Sequence, residues 1–231
     1  MTERLEDVLG GGWVNGPTDD TVNTVPSVVT ALTRLDPADG DLLEVGLRRG
    51  GTALARHAAR GHACELVTVD PYGGLPYLTG DGSGEHVPLY GDDDERVARE
   101  LLAREHRWQH WRLTSRDFFR LVAPLGYWRG GARRPYLFSS VFLDGSHDAA
   151  EVVPDLYALP AYLTPAGTCV VDNTDYPQPG PGRLTLRDAV QVTCAALALT
   201  CWPLVAGATN EVCVVSRVPV SELRDRLQGD R

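Results

Sequence analysis

Lysine is absent from this 231-residue chain: its 22 basic side chains are all arginines, set against 31 acids for a formal net charge of −9. Without lysine there is no Schiff base, no lysine general base and no phosphate-loop lysine. The acidic balance and the lack of any sustained basic stripe argue against a nucleic-acid partner, because phosphate binding needs a basic face. Cysteines are few and odd in number; Cys64, Cys169, Cys194, Cys201 and Cys213 are widely spaced, mostly in apolar runs. That pattern excludes a disulfide framework or zinc knuckle and reads as buried free thiols. No run approaches the ~20 apolar residues of a membrane span, and the N-terminus lacks a signal-peptide core. A cytoplasmic protein with no membrane partner is expected.

What is present is enough for a sizeable core: 43% of residues are hydrophobic, within reach of one α/β domain. No internal repeat interrupts an alternation of helices and strands. Helices are predicted over residues 25–35, 52–60, 94–105, 116–122, 149–163 and 184–199. Strands are predicted over residues 41–46, 65–70, 111–113, 137–144, 167–172, 202–206 and 211–216. This order predicts a doubly wound, Rossmann-like, mostly parallel seven-stranded sheet with helices on both faces, in a single domain over residues 1–231. Residues 1–40 form an N-terminal cap segment. Residues 73–95 (GGLPYLTGDGSGEHVPLYGDDDE) are too long for a connector and read as a lid insertion. Residues 126–135 read as a basic turn.

In such a sheet, ligands sit beyond the carboxyl ends of the strands. The first strand ends in Glu44-x-Gly46-x-x-x-Gly50-x-Thr52. Glycine lets the backbone turn tightly against a ligand, and the following helix start offers N–H groups to a carboxylate. The spacing is not the G-x-G-x-x-G of dinucleotide binders; it suits a nucleoside with an amino-acid tail. Asp70 ends the second strand and could accept hydrogen bonds from both hydroxyls of a ribose, although an Asp before Pro is also a common turn former. The fourth strand ends in Asp144-Gly145-Ser146-His147 and the fifth in Asp172-Asn173. If these strands are parallel neighbours, Asp144, Asp172 and Asn173 converge, and three oxygen ligands, two of them anionic, suit a hard cation such as Mg²⁺.

With these motifs the chain resembles the class I S-adenosylmethionine-dependent methyltransferases over about residues 41–217. The resemblance implies that the last strand runs antiparallel. It implies that Glu44, Gly46, Gly50 and Thr52 hold the methionine part of the donor and Asp70 the ribose. Ser115, Arg116 and Asp117 would approach the adenine, with an N-cap opening a helix as the alternative, and Asp144 would border the donor as well. The acidic cluster is similar to that of metal-dependent O-methyltransferases, both the catechol and caffeoyl-CoA type and the macrocin type. Those enzymes pair an Asp after strand four with Asp-Asn or Asp-Asp after strand five. Catechol-type enzymes carry a lysine three residues beyond the first Asp, where this chain has His147, closer to the macrocin type.

The expected chemistry is metal-assisted methyl transfer to an oxygen. A phenol ionises near pH 10, so reaching neutrality takes roughly 4 kcal/mol of oxyanion stabilisation, which a coordinated dication can supply. His147 or Asp144 serves as the base. The expected acceptor is a small hydroxylated molecule, an aromatic diol or a sugar or natural-product hydroxyl. Alternatives are an N- or C-methyltransferase, another enzyme of the same fold without metal, or a protein that binds S-adenosylmethionine without catalysis. A homodimer through the N-terminal helix and final strands is possible on the resemblance. His57, His62, His106 and His110 are expected in surface or structural roles, Trp108 and Trp111 in the core, and His86, Tyr72, Tyr77 and Tyr176 as candidate lining of the acceptor pocket.

Overall fold

The computed structural model describes residues 3–4, 25–36, 39–74, 76–78, 86–87, 90–180, 182, 184–206 and 210–229. Its strands are β1 (Glu3–Arg4), β2 (Asp41–Val45), β3 (Leu66–Val69), β4 (Tyr77–Leu78), β5 (His86–Val87), β6 (Trp108–Trp111), β7 (Tyr127–Arg129), β8 (Ala132–Arg134), β9 (Phe138–Leu143), β10 (Leu163–Val171), β11 (Thr200–Ala206) and β12 (Asn210–Ser216). Its helices are α1 (Val25–Leu35), α2 (Gly51–Ala59), α3 (Asp92–Leu102), α4 (Ser115–Asp117), α5 (Ala149–Ala158), α6 (Leu186–Ala196) and α7 (Val220–Gly229).

The main sheet runs in the order β1-β11-β12-β10-β9-β2-β3-β6. From β10 to β6 all neighbours are parallel, while β12 is antiparallel to both β10 and β11. The seven expected strands are all present, and the two-residue β1 adds an eighth beside β11. Strand order reverses between β2 and β9, which opens a crevice beyond their carboxyl ends.

Helices cover both faces of the parallel strands, so the strands are written as nearly continuous apolar runs. On one face Leu43, Val45, Val67, Val69, Val141 and Leu143 pack with Phe118, Val152, Leu156, Leu186 and Val190 of the helical segments after β6, β9 and β10. On the other, Leu42 and Leu66 pack with Ala53, Ala98 and Leu102 of α2 and α3. Phe142 and Val170 there meet Val25, Val29 and Leu32 of α1. Full burial of each such Leu, Val or Phe stabilises by about 1.5–3 kcal/mol. One charge lies inside this second layer. Arg56 of α2 has no exposed side-chain surface and donates to Thr33 Oγ1, the Leu43 carbonyl, Glu44 Oε2 and the Ser140 carbonyl, joining α1, α2, β2 and β9.

Several boundaries differ from the sequence reading. The third strand is Trp108–Trp111 rather than residues 111–113, because Leu66 to Val69 pair with Trp108 to Trp111. The helix expected over 116–122 keeps α geometry only over Ser115–Asp117, then widens into a π turn (Phe118–Val122) and tightens into a 3-10 turn (Ala123–Leu125). The expected basic turn is a hairpin, β7–β8, turning on Gly130 and Gly131 at φ 59° and 78°. The helix expected to reach residue 163 stops at Ala158, and a 3-10 turn leads into a longer β10 that starts at Leu163. Helix α7, packed on the second layer through Leu223, was not expected. Most of the cap segment, and residues 75, 79–85 and 88–89 of the lid over 73–95, fall outside the described residues. Within the lid, Tyr77–Leu78 pairs antiparallel with His86–Val87, and α3 already begins at Asp92. The five cysteines are free thiols, as expected. No helix among the described residues is long and apolar enough to cross a membrane.

Candidate active site

The turn after β2 is shaped by Gly46 and Gly50, at φ 88° and 79°. A Cβ on Gly46 would run into the backbone carbonyl of Asp144, so only glycine lets the β2 and β9 loops touch here. Gly50 ends the turn and precedes α2, with Thr52 half-buried in the helix's first turn. Asp70 locks the turn from β3: its Oδ2 accepts from the Arg48 backbone N–H at 2.9 Å and its Oδ1 from the Tyr72 N–H at 2.8 Å. Burial raises the Asp70 carboxyl above its usual range against those amide bonds. Arg48 and Tyr72 both have positive φ, 49° and 42°, a conformation that non-glycine residues rarely hold outside tightly determined sites.

Tyr72 is not a pocket side chain. It is buried, and its hydroxyl donates to the Arg48 carbonyl at 2.7 Å, clamping the glycine turn. Glu44 is likewise turned away from the crevice. Residues alternate along β2, so Val45 faces one layer and Glu44 the other, where it is 1% exposed and 3.1 Å from Arg56. Burial outweighs that cation and pushes the Glu44 carboxyl up to about 7.

The tips of β9 and β10 bring the acidic cluster together. Asp144, His147 and Asp172 place their ligand atoms within 4.8 Å of one another. His147 Nε2 lies 3.7 Å from Asp144 Oδ1. Asn173, at φ 50°, turns the chain sharply after Asp172, and its side-chain amide donates to Asp172 Oδ2 at 2.9 Å and to His147 Nε2 at 3.2 Å. Burial, followed by the neighbouring Asp144 carboxylate, pushes Asp172 up to about 8, and burial pushes Asp144 up to about 7. Two carboxyls this close titrate as one pair, and a positive charge joining them favours ionisation of both at neutral pH. Burial lowers the His147 pKa, with Asp172 and Asp175 opposing, so the imidazole favours its neutral form.

The His147 loop is held by Tyr176, expected as acceptor-pocket lining, and by Gln178, which the sequence did not advertise. Tyr176 packs edge-on against the His147 ring at 4.5 Å. Gln178, in the loop between β10 and α6, donates to the His147 carbonyl and accepts from the Ala149 N–H. The donor set suits a hard divalent cation: two carboxylates lie together, and the nitrogen of the Asn173 amide is already committed to Asp172 and His147, which makes its oxygen the ligand it offers.

Beside this cluster is a pocket lined by Val45, Gly46, Pro71, Ser115, Gly145 and Asp155. Of the three residues expected near a nucleobase, only Ser115 reaches it. Arg116 lies outward on Ala150 and Glu151, and Asp117 pairs with Arg120 at the surface. Asp155 of α5 was missed. It is 4% exposed, its Oδ1 has no hydrogen-bond partner, and burial pushes its pKa up to about 7. An Asp in the middle of an amphipathic helix gives no sequence cue to this position.

Several known proteins resemble this chain. Residues 43–174, more than half of it, match the family described as a methyltransferase domain. Among solved structures, the calicheamicin methyltransferase CalS11 is 17% identical, with 89% of each chain covered and a TM-score of 0.60. The O-methyltransferase TomG from Streptomyces achromogenes, involved in tomaymycin synthesis and solved with SAM, is 17% identical over 92% of this chain and 90% of its own, with a TM-score of 0.56. An O-methyltransferase from Bacillus cereus, solved with SAH, is 14% identical over 92% and 90%, with a TM-score of 0.57. No curated protein sequence matches. The glycine turn, the strand order and the matched span lead to one assignment: this chain belongs to the methyltransferase-domain family and is a methyltransferase.

Proposed function

We propose that the protein transfers the methyl group of S-adenosylmethionine to a hydroxyl of a small molecule, an aromatic diol or a sugar or natural-product hydroxyl, with help from a divalent cation such as Mg²⁺. The observation that carries this reading is the juxtaposition of Asp144, His147 and Asp172 with the pocket under Gly46. It is supported by the neighbours solved with SAM and SAH, which are O-methyltransferases.

The glycine turn and the start of α2, with Gly46, Gly50 and Thr52, would seat the methionine end of the donor; the N-terminus of α2 favours its carboxylate. Asp70, already braced by two amides, has a further lone pair on each oxygen for ribose hydroxyls. The base would sit between Pro71, Ser115 and Gly145, where Asp155 Oδ1 offers an acceptor to an exocyclic amine. Asp144, Asp172 and Asn173 would hold the cation, whose contribution is Lewis-acid stabilisation of the acceptor oxyanion. His147, neutral and anchored by Tyr176 and Gln178, would accept the hydroxyl proton at Nε2 as the acceptor hydroxyl replaces the Asn173 amide that now donates to that nitrogen. Both acidic tips hold the acceptor oxygen in line with the donor methyl.

Three measurements test this. Calorimetry with S-adenosylmethionine should show saturable binding; no heat ends the donor assignment. A panel of catechols and hydroxylated glycosides should be methylated with Mg²⁺ and not after EDTA, and undiminished turnover in chelator ends the metal mechanism. Asp172→Asn should lower kcat by about 10²–10³, the loss of several kcal/mol of charge stabilisation.

A further inference from the structure

At the other end of the sheet from the crevice, three more ligand-type atoms converge. His57 lies in the last turn of α2, His62 in the turn after it, and Glu105 in the loop between α3 and β6. Glu105 Oε2 is 2.6 Å from His57 Nδ1 and 2.7 Å from His62 Nδ1, and all three atoms lie within 4.8 Å of one another. The His57 side chain is 1% exposed, that of Glu105 12%, and that of His62 50%.

The second nitrogen of His57 decides what this cluster can do. His57 Nε2 lies 3.0 Å from the Cys64 carbonyl, which only accepts, so Nε2 carries a proton. Protons alone satisfy the cluster in two ways: His57 protonated on both nitrogens as a cation paired with Glu105, or a proton on the Glu105 carboxyl itself, donated to His57 Nδ1. The third solution leaves Nδ1 of each ring as a lone pair and sets a cation between the rings and the carboxylate. A ligating imidazole typically donates its remaining N–H to a backbone carbonyl, as His57 does to Cys64. His62 reaches the cluster with φ 55°, a left-handed conformation that non-glycine residues adopt at a cost. Its ring stands edge-on to His57 at 5.0 Å, and both Nδ1 atoms face the same Glu105 oxygen.

We propose that His57 Nδ1, His62 Nδ1 and the Glu105 carboxylate bind a divalent transition-metal cation of the zinc class, fastening the end of α2 to the loop that leads into β6. Two imidazoles and one carboxylate select zinc, nickel or copper over magnesium. The exposed side of His62 leaves the fourth tetrahedral position to water. Ligand bonds of about 2.0–2.2 Å set the three atoms roughly 3.3 Å apart, so the Glu105 side chain, past the end of α3, moves outward by about 0.6 Å. Binding is balanced by release of up to two protons, one from each Nδ1. The site is independent of the catalytic reading, since it shares no residue with the crevice.

The test titrates Zn²⁺ into chelator-stripped full-length protein in excess Mg²⁺, in a His147→Ala background that removes the crevice imidazole. Calorimetry in buffers of different ionisation enthalpy should give one zinc per chain with proton release, together with a raised Tm. His62→Ala, which alters a half-exposed side chain, and Glu105→Gln should each weaken zinc binding by more than about tenfold. Cobalt in place of zinc should give tetrahedral visible absorption bands that both variants lose. Zinc binding unchanged in His62→Ala and Glu105→Gln would overturn the proposal. So would nitrogen-edited NMR that shows both His57 ring protons retained with zinc present, which identifies a hydrogen-bonded clamp.

Discussion

At the scale of single residues, the buried acids are the most informative side chains. Asp36, just after α1, is 7% exposed, and both its oxygens accept from Thr168 Oγ1 at 2.8 Å. Burial pushes its carboxyl up to about 7 against those hydrogen bonds and the nearby Arg56 and Arg60. The folded state therefore holds the Asp36 proton more tightly than the unfolded chain, where an aspartate titrates near pH ~3.9. This contribution to stability is complete below about pH 4 and is lost as pH rises through about 7. Asp36→Asn should thus gain on the wild type as pH rises from 4 to 8, by at most about 4 kcal/mol. Urea denaturation at pH 5 and pH 8 measures the gain, and parallel pH–stability curves would show that Asp36 does not titrate between the two. Nothing in the sequence marked Asp36 or Asp155 as buried. Each becomes so only when its helix docks, a fact about three dimensions and not about neighbours in the chain. Glu44 shows the converse: its place at the end of a strand suggested a ligand contact, yet its partner is Arg56, which reaches it only across the helix–sheet interface.

At the scale of elements, the parallel strands were legible because two covered faces demand apolar runs, and DLLEV, LVTV and FSSVFL supply them. Strand β6, at the edge, reads WQHW; half-buried aromatic and polar residues blurred its bounds. The hairpin β7–β8 did carry a signal, a Gly-Gly pair between short runs, which a two-residue turn with positive φ requires. The acidic cluster was legible for the same reason as the strands: once β9 and β10 are parallel neighbours, their tips must meet. The glycine turn allows a sharp test of this geometry. Gly46→Ala puts a methyl against the Asp144 carbonyl and strains a backbone at φ 88°. The change should cost about 1–3 kcal/mol of stability and displace both the donor turn and Asp144. Denaturation curves and donor titration together check it. Normal stability with normal donor affinity would mean that the two loops do not touch as described.

At the scale of the whole molecule, the crevice is a set of short loops that hold one another. Asp70 braces the glycine turn through the Arg48 N–H, Tyr72 closes on the Arg48 carbonyl, and Gln178 ties the loop after β10 to the one after β9. These loops hang from β2, β3, β9 and β10, whose side chains form much of the largest core cluster. A donor that bridges the glycine turn and the Ser115–Gly145 pocket therefore binds the native state and has no site on the unfolded chain. Linkage then fixes the size of the effect: at 100 times its dissociation constant the donor stabilises by about 2.7 kcal/mol. In a chain of this length that amounts to a Tm increase of roughly 5–10 °C. Scanning calorimetry with and without S-adenosylmethionine should show this shift in the wild type and a smaller one in Gly46→Ala, whose turn no longer fits the ligand. A wild-type Tm that stays fixed as donor rises from sub-saturating to saturating levels would mean that these loops, however firmly interlocked, are not where the donor binds.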